Sequence, residues 1–384
     1  MSLARAAVLV SPRTYEVREF PIPTPASGCL LVKNLLSGIC GTDKHTFEGY
    51  TTQYSGTSNP SSTPFPIIQG HENVGEIVEI GSDVVDFEGV VLKVGDRVVV
   101  GPNVTCGRCY ACTHGLPYTL CSNIRDYGNT ITAKDSPHLF GGWAEYMYVL
   151  PRSYIFRVPD ELPSEIAVLA ELFAVTVGLD RAQSLGSFPS GGFRFGNSVL
   201  VYGAGPLGLC HVAKARMLGA DKIIAIDLSP TRLAFATRMG ADVTLNAQNF
   251  SMSELVAQVR ELTNGLGADV VVECVGRPEV IPNAIDMLRV GGTFIEVGNF
   301  SDLGEVSIHP NRHLCSKGIT LLGIPGQEPG GYAPGLLAML RYRTQMPFDE
   351  FVSDRYGLGS AQDAVLRSIS PESLKVVIDP WLRT

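Results

Sequence analysis

Over Ser198–Tyr202 a β-branched apolar run breaks off at Gly203-Ala204-Gly205-Pro206-Leu207-Gly208, and apolar residues return at helical spacing over 209–218. A strand, a glycine turn and a helix are predicted in that order. A second apolar strand follows at 222–227. The alternation continues with a helix over 230–239, a strand over 243–245, a helix over 252–262, a strand over 270–274, a helix over 279–288 and strands over 293–297 and 319–323. Six strands joined by crossover helices predict a doubly wound parallel sheet, the Rossmann form of the α/β class. Near the N-terminus, residues 6–10 are too short an apolar stretch for a signal peptide and read as a first strand.

The glycine turn carries the first chemistry. Gly203 makes the tight turn, Gly205 lets backbone approach a pyrophosphate at the helix N-terminus, and Gly208 permits close helix-strand packing, with Pro206 and Leu207 between them. Asp227 ends the second strand, 19 residues after Gly208, where a carboxylate accepts from an adenosine ribose diol. A carboxylate there repels a 2′-phosphate, and the first arginine beyond it is Arg232, so NAD is expected rather than NADP.

Composition then sets the scale. A chain of 384 residues with 45% hydrophobic and 18% charged residues is too long for one ordinary core and supplies apolar material for two domains. A net charge of −8, without basic stripes, argues against general nucleic-acid or anionic-membrane partners. Residues 166–179 are the nearest approach to a membrane span, and Glu171 interrupts them. A cytoplasmic location is expected.

Two groups of side chains point to metal. Cys40-Gly41-Thr42-Asp43-Lys44-His45 is followed by Gly70-His71-Glu72, which gathers a thiolate, an imidazole and a carboxylate without closing a four-ligand cage. Zinc that does chemistry keeps an open position, and Cys40 with His71 still requires a third protein ligand. Cys106, Cys109, Cys112 and Cys121 fall within 16 residues, and four thiolates fill a tetrahedron as a structural zinc site does. Disulfides would be the alternative, disfavoured in a reducing compartment. Cys29, Cys210, Cys274 and Cys315 stand singly and read as core residues.

The ordered motifs GxCGTDxH, GHE, GPNxxCGxCxxC, GGxAEY and GAGPLG span nearly the whole chain and resemble the zinc-dependent medium-chain dehydrogenase/reductase superfamily. The resemblance is closer to polyol, sugar and threonine dehydrogenases, because Ala170-Glu171-Leu172 stands where those branches supply a glutamate ligand. It implies a β-rich GroES-like catalytic domain over 1–171 with a zinc lobe at about 101–125, an NAD-binding Rossmann domain over 172–323, and a return to the catalytic domain over 324–384. Cys40, His71 and Glu171 would hold the catalytic zinc, with Glu72 beside them as a further ligand and Asp43 orienting the histidine. Thr42 and His45 match the proton-relay hydroxyl and imidazole. Val275, Gly276, Gly298 and Asn299 would line the nicotinamide and its ribose, and Lys375 would face the cofactor phosphate. A homodimer or homotetramer is implied as well.

Departures from the commonest pattern are an enlarged loop over 50–63, a fourth thiolate nine residues after Cys112 where relatives have eight, and a long stretch at 186–196. Phe47, Tyr50 and Trp143 are expected as pocket walls. The expected activity is reversible, zinc- and NAD-dependent oxidation of a secondary alcohol (a polyol, a sugar or a hydroxy-amino-acid-like substrate) to a ketone. A zinc-free enoyl or quinone reductase of the same fold, or a noncatalytic NAD-binding redox sensor, would be the alternatives.

Overall fold

The structure is a computed structural model that describes residues 2–57, 60–185 and 191–383. It divides into two compact units, one of Met1–Glu171, Tyr332–Arg343 and Phe348–Thr384, the other of Leu172–Gly331 and Thr344–Pro347.

The first unit is β-rich and GroES-like. Its larger sheet runs in the order Ser153–Arg157, Arg97–Val104, Glu72–Ile80, Leu30–Gly38, Lys375–Ile378, Val352–Tyr356, and Tyr146–Val149 also pairs with Leu30–Gly38. The strand expected near residue 6 is the longer Leu3–Ser11, paired with Thr14–Pro21 and Ile67–Ile68. Continuous apolar runs such as Val98, Val99 and Val100 are buried, as strands covered on both faces require. The helix Ala361–Ile369 turns Ala361, Ala364, Val365 and Ser368 inward at helical spacing and covers the strand Lys375–Ile378.

The second unit is the Rossmann sheet. Its six strands, all parallel, lie in the order Val243–Asn246, Lys222–Asp227, Ser198–Tyr202, Ala268–Glu273, Leu288–Glu296, Thr320–Gly323. The order reverses beside Ser198–Tyr202, the position where open parallel sheets bind ligands at their carboxyl ends. The helix expected over 279–288 is instead a 3-10 turn, Pro278–Val280, followed by Ile281–Met287. Pro282 has no amide to continue the preceding turn, so the helix restarts there.

Several expectations are corrected. The chain rejoins the first unit at Tyr332 rather than at 324, because the intervening segment is tied to the second: Ile324 N donates to Glu296 O at 2.9 Å. Cys315 is exposed and not a core residue, whereas Cys29 and Cys210 are buried. The 50–63 loop contains a short antiparallel pair, Thr52–Gln53 with Ser61–Ser62, and Tyr54 anchors it through a 3.0 Å bond from its hydroxyl to Asp126 Oδ2. Ser58 and Asn59 of that loop, and residues 186–190 of the later stretch, lie outside the described residues. After them, Phe193 is buried and its amide donates to Ala182 O at 2.9 Å. Among the described residues no helix is long and apolar enough to cross a membrane.

Candidate active site

Cys40 ends the segment after the strand Leu30–Gly38 and caps the helix Gly41–Glu48, with its amide donating to Asp43 Oδ2 at 2.9 Å. His71 and Glu72 open the neighbouring strand, Glu72–Ile80, whose register sets Glu72 opposite Gly38. Two glycines make the room. A side chain at Gly38 would overlap the Glu72 carboxylate, and one at Gly70, where φ is +92°, would overlap the Trp143 ring. The result is that Cys40 Sγ, one ring nitrogen of His71 and one carboxylate oxygen of Glu72 lie within 4.8 Å of one another.

This donor set fits a zinc ion. One sulfur, one nitrogen and one oxygen are the ligand types zinc takes, and Glu72 Oε1 is buried with no hydrogen-bond partner. Asp43 Oδ2 accepts the Cys40 amide at the start of the helix, while Oδ1 stands 3.7 Å from His71 Nδ1. Burial alone would keep the His71 imidazole neutral, but the charges of Asp43 and Cys40 outweigh it and raise its pKa well above the ordinary value. Glu171 is buried, its carboxyl pushed up to about 7 by burial and then by the nearby charge of Glu72. It is therefore a neighbour of the triplet, but its carboxylate stands outside the group that converges within 4.8 Å.

Lys375 is where sequence reasoning missed most. It is 1% exposed, donates to Ile39 O at 2.9 Å and forms an ion pair with Glu72, a pairing that the sequence did not suggest. A buried ammonium needs a partner, and the only hint in the chain was a lysine inside an otherwise apolar strand. Phe47 and Trp143 are likewise not pocket walls. Both are fully buried in the core of the first unit, each against Tyr15, at ring-centroid distances of 5.9 and 5.7 Å. Tyr50 is exposed and stands edge-on to His45. Thr42 Oγ1 lies 3.9 Å from Cys40 Sγ, and His45, three residues on, shares its helix face.

The four remaining clustered cysteines come together as well. The sulfurs of Cys106, Cys109, Cys112 and Cys121 lie within 4.8 Å of one another, and all nine cysteines of the chain are free. The additional residue before Cys121 is absorbed by a 3-10 turn, Tyr118–Leu120, which brings the Cys121 sulfur 3.3 Å from the Cys106 amide. Backbone amides of Cys112 and Ser122 draw the Cys109 thiol down to about 5, favouring the thiolate a metal needs.

In the second unit the glycine turn separates three jobs. A Cβ on Gly203, where φ is +98°, would fall 2.9 Å from the backbone of Cys274 and Val275, and one on Gly208 would overlap Gly203 O. Around Gly205, by contrast, nothing lies within 4 Å, so this face of the helix Pro206–Met217 is open to a phosphate group. Pro206 starts that helix and Leu207 follows in its first turn. Asp227 Oδ2 accepts from Ala204 N at 2.7 Å and Oδ1 from Ser229 N at 2.8 Å, tying the second strand's end to the turn. Arg232 lies in the first turn of the next helix, its amide capped by Ser229 Oγ at 3.2 Å. Val275 and Gly276 donate their amides to Glu273, and Gly298 and Asn299 donate theirs to Glu296.

Comparison with known proteins agrees with both halves. The alcohol dehydrogenase GroES-like domain matches residues 26–160, and the zinc-binding dehydrogenase domain matches residues 206–341. The chain is 31% identical to 5-exo-hydroxycamphor dehydrogenase of Pseudomonas putida, covering 100% of each sequence. It is 32% identical to sorbitol dehydrogenase of Bacillus subtilis, over 98% of this chain and 97% of that one. A structure described as a zinc-binding dehydrogenase from Sinorhizobium meliloti, solved with NADP bound, superposes with a TM-score of 0.82 at 29% identity, covering 99% of this chain and 100% of that one.

Proposed function

The chain belongs to the zinc-dependent alcohol dehydrogenase-like family of medium-chain dehydrogenases, and from that membership we propose that it is a zinc- and NAD-dependent dehydrogenase that reversibly oxidises a secondary alcohol to a ketone. Its substrate class in this reading is a polyol, a sugar or a hydroxy-amino-acid-like alcohol. The observation that carries the reading is the convergence of Cys40, His71 and Glu72 within 4.8 Å, with an unpartnered Glu72 oxygen among them.

Bound there, zinc supplies a Lewis acid that acidifies an alcohol hydroxyl, and a bound nicotinamide supplies the hydride acceptor. The chain's own residues do the rest. Cys40, His71 and Glu72 hold the ion, with Glu171 as the adjoining carboxylate. Asp43 orients the His71 ring, and Lys375 holds one oxygen of Glu72 so that the other stays free. Thr42 takes the proton released from the alcohol and His45 carries it onward to solvent. In the second unit the open face at Gly205 receives the pyrophosphate and Asp227 the adenosine ribose. NAD is preferred in this reading because the Asp227 carboxylate would repel a 2′-phosphate, although one similar structure holds NADP. Free cysteines suit a reducing, cytoplasmic setting.

The test is reduced-cofactor formation across a panel of polyols, sugars and simple secondary alcohols, with NAD or NADP, before and after zinc chelation. Zinc-reversible loss of turnover with NAD is the expected result. Turnover that survives complete zinc removal, or that requires NADP, would sink the metal or the cofactor part respectively.

A further inference from the structure

The strand Arg97–Val104 ends between two neighbours, with Val104 opposite Arg125 on one side and opposite Ser153 on the other. Arg152 precedes Ser153, and Arg108 follows the strand by four residues. Register therefore gathers three arginines that are distant in sequence, and with Asn123, Cys106 and Leu150 they line a cleft of ≈ 530 Å³ that has no acidic residue in its wall. Gly107 makes the room. Its φ is +71°, and a Cβ there would fall 3.0 Å from Arg152 Cδ and Nε. Arg152 Nε donates to Thr105 O at 3.3 Å, and the Arg125 guanidinium stands 5.6 Å from the centre of the Phe140 ring. Arg5, Arg289 and Arg367 each meet a carboxylate elsewhere in the chain, whereas Arg108, Arg125 and Arg152 form no ion pair among the described residues. Arg152 also holds φ at +67°, a conformation glycine adopts more readily, so its guanidinium is placed here against backbone preference.

We propose that this cleft binds a small polyanion carrying two phosphoryl groups, with Arg108, Arg125 and Arg152 supplying charge-assisted hydrogen bonds. Three guanidinium groups around one cleft repel one another, and an anion among them removes that cost. Each guanidinium presents a fork that matches paired phosphoryl oxygens, so a ligand with a single anionic group would leave a fork unfilled. Two groups are favoured. The cleft has the volume of a small-molecule site, and a chain of net charge −8 disfavours a long polyanion such as a nucleic acid. All of its lining residues lie in the first unit, and none of them is Cys40, His71 or Glu72, so it is separate from that triplet and from the glycine turn. A ligand there would tie the start of the four-cysteine lobe to the strands on both sides of Val104.

The full chain, with NAD⁺ present to fill the turn at Gly205, is titrated by calorimetry with bisphosphoglycerate, inorganic phosphate and succinate. The bisphosphate is expected to bind with a Kd below about 1 mM, at least about tenfold more tightly than the other two, and to weaken as salt is added. Amide hydrogen exchange over residues 104–108, 123–125 and 150–153 should slow when it is bound. Arg108→Gln and Arg125→Gln should each weaken binding by about fivefold or more. Arg152→Gly relieves the left-handed backbone, so it should melt no lower than the wild-type chain while losing affinity to a similar degree. Exchange protection confined to other segments, unchanged affinity in all three variants, inorganic phosphate binding as tightly as the bisphosphate, or no binding below about 10 mM overturns the site.

Discussion

The ammonium of Lys375 pairs with the carboxylate of Glu72 where both side chains are fully buried, and only the missing side chain of Gly38 leaves space for the two. Burial by itself would disfavour the charged lysine, but the charge of Glu72 more than compensates and raises its pKa. The pair fixes one oxygen of Glu72 and leaves the other for a metal.

Removing one member of a buried pair strands the other charge. Lys375→Met should cost about 3–5 kcal/mol in urea unfolding of the chelator-treated chain, and the double variant Lys375→Met/Glu72→Gln should recover most of that loss. Equal destabilisation of the single and double variants would contradict the pairing.

Asp43 acts on the ring of His71 and on the amide of Cys40 together. Asp43→Asn keeps the acceptor oxygen for the cap but loses the charge facing the imidazole. Zinc affinity at this site, followed by competition with a chromogenic chelator, should fall by about 10–100-fold with little change in helix content. Unchanged affinity would assign Asp43 to capping alone.

Two separate clusters imply two zinc ions per chain, and their losses should be separable. Cys40→Ser or His71→Ala should leave one ion and a folded protein without dehydrogenase activity. Cys109→Ser should instead release the ion of the four-cysteine lobe and lower thermal stability. The folded-state pKa of Cys109, at about 5, lies below that of a free thiol, so its contribution is full only above the free-thiol range, declines as pH falls below that range and is gone once pH has fallen through about 5. Zinc release from this lobe on acid titration, read by metal analysis of Cys40→Ser, should centre near or below that pH.

The glycine turn separates fold from function. Gly205→Val meets open space, so the melting temperature should move little while dinucleotide affinity falls by at least about tenfold, because the side chain occupies the approach to the helix N-terminus. Gly208→Ala should do the reverse first, destabilising the second unit by forcing the helix from Gly203 O. Thermal melts and cofactor fluorescence on the two variants check both outcomes.

What was legible in the chain follows the range of the interactions. The four clustered cysteines, the glycine turn and the alternating strands and helices of the second unit depend on short spacings, which local geometry converts directly into structure. The Cys40 and His71 positions were legible for a related reason, since each carries its own turn glycine and a ligand type that zinc prefers.

The composition of the charged interior was not legible. Glu72 was named beside Cys40 and His71, but that Glu171 stands outside their tight group and that Lys375 pairs with Glu72 could not be read from the chain. Phe47 and Trp143 fill the core rather than a pocket, and Glu273 meets Glu296. Each of these outcomes depends on strands distant in sequence being laid side by side in a particular register. A buried charge is tolerable only where that register supplies its partner. The sequence by itself determined which local units form and which ligand types they carry. Tertiary packing decided which side chains meet, because burial energies are set by neighbours that no local spacing names.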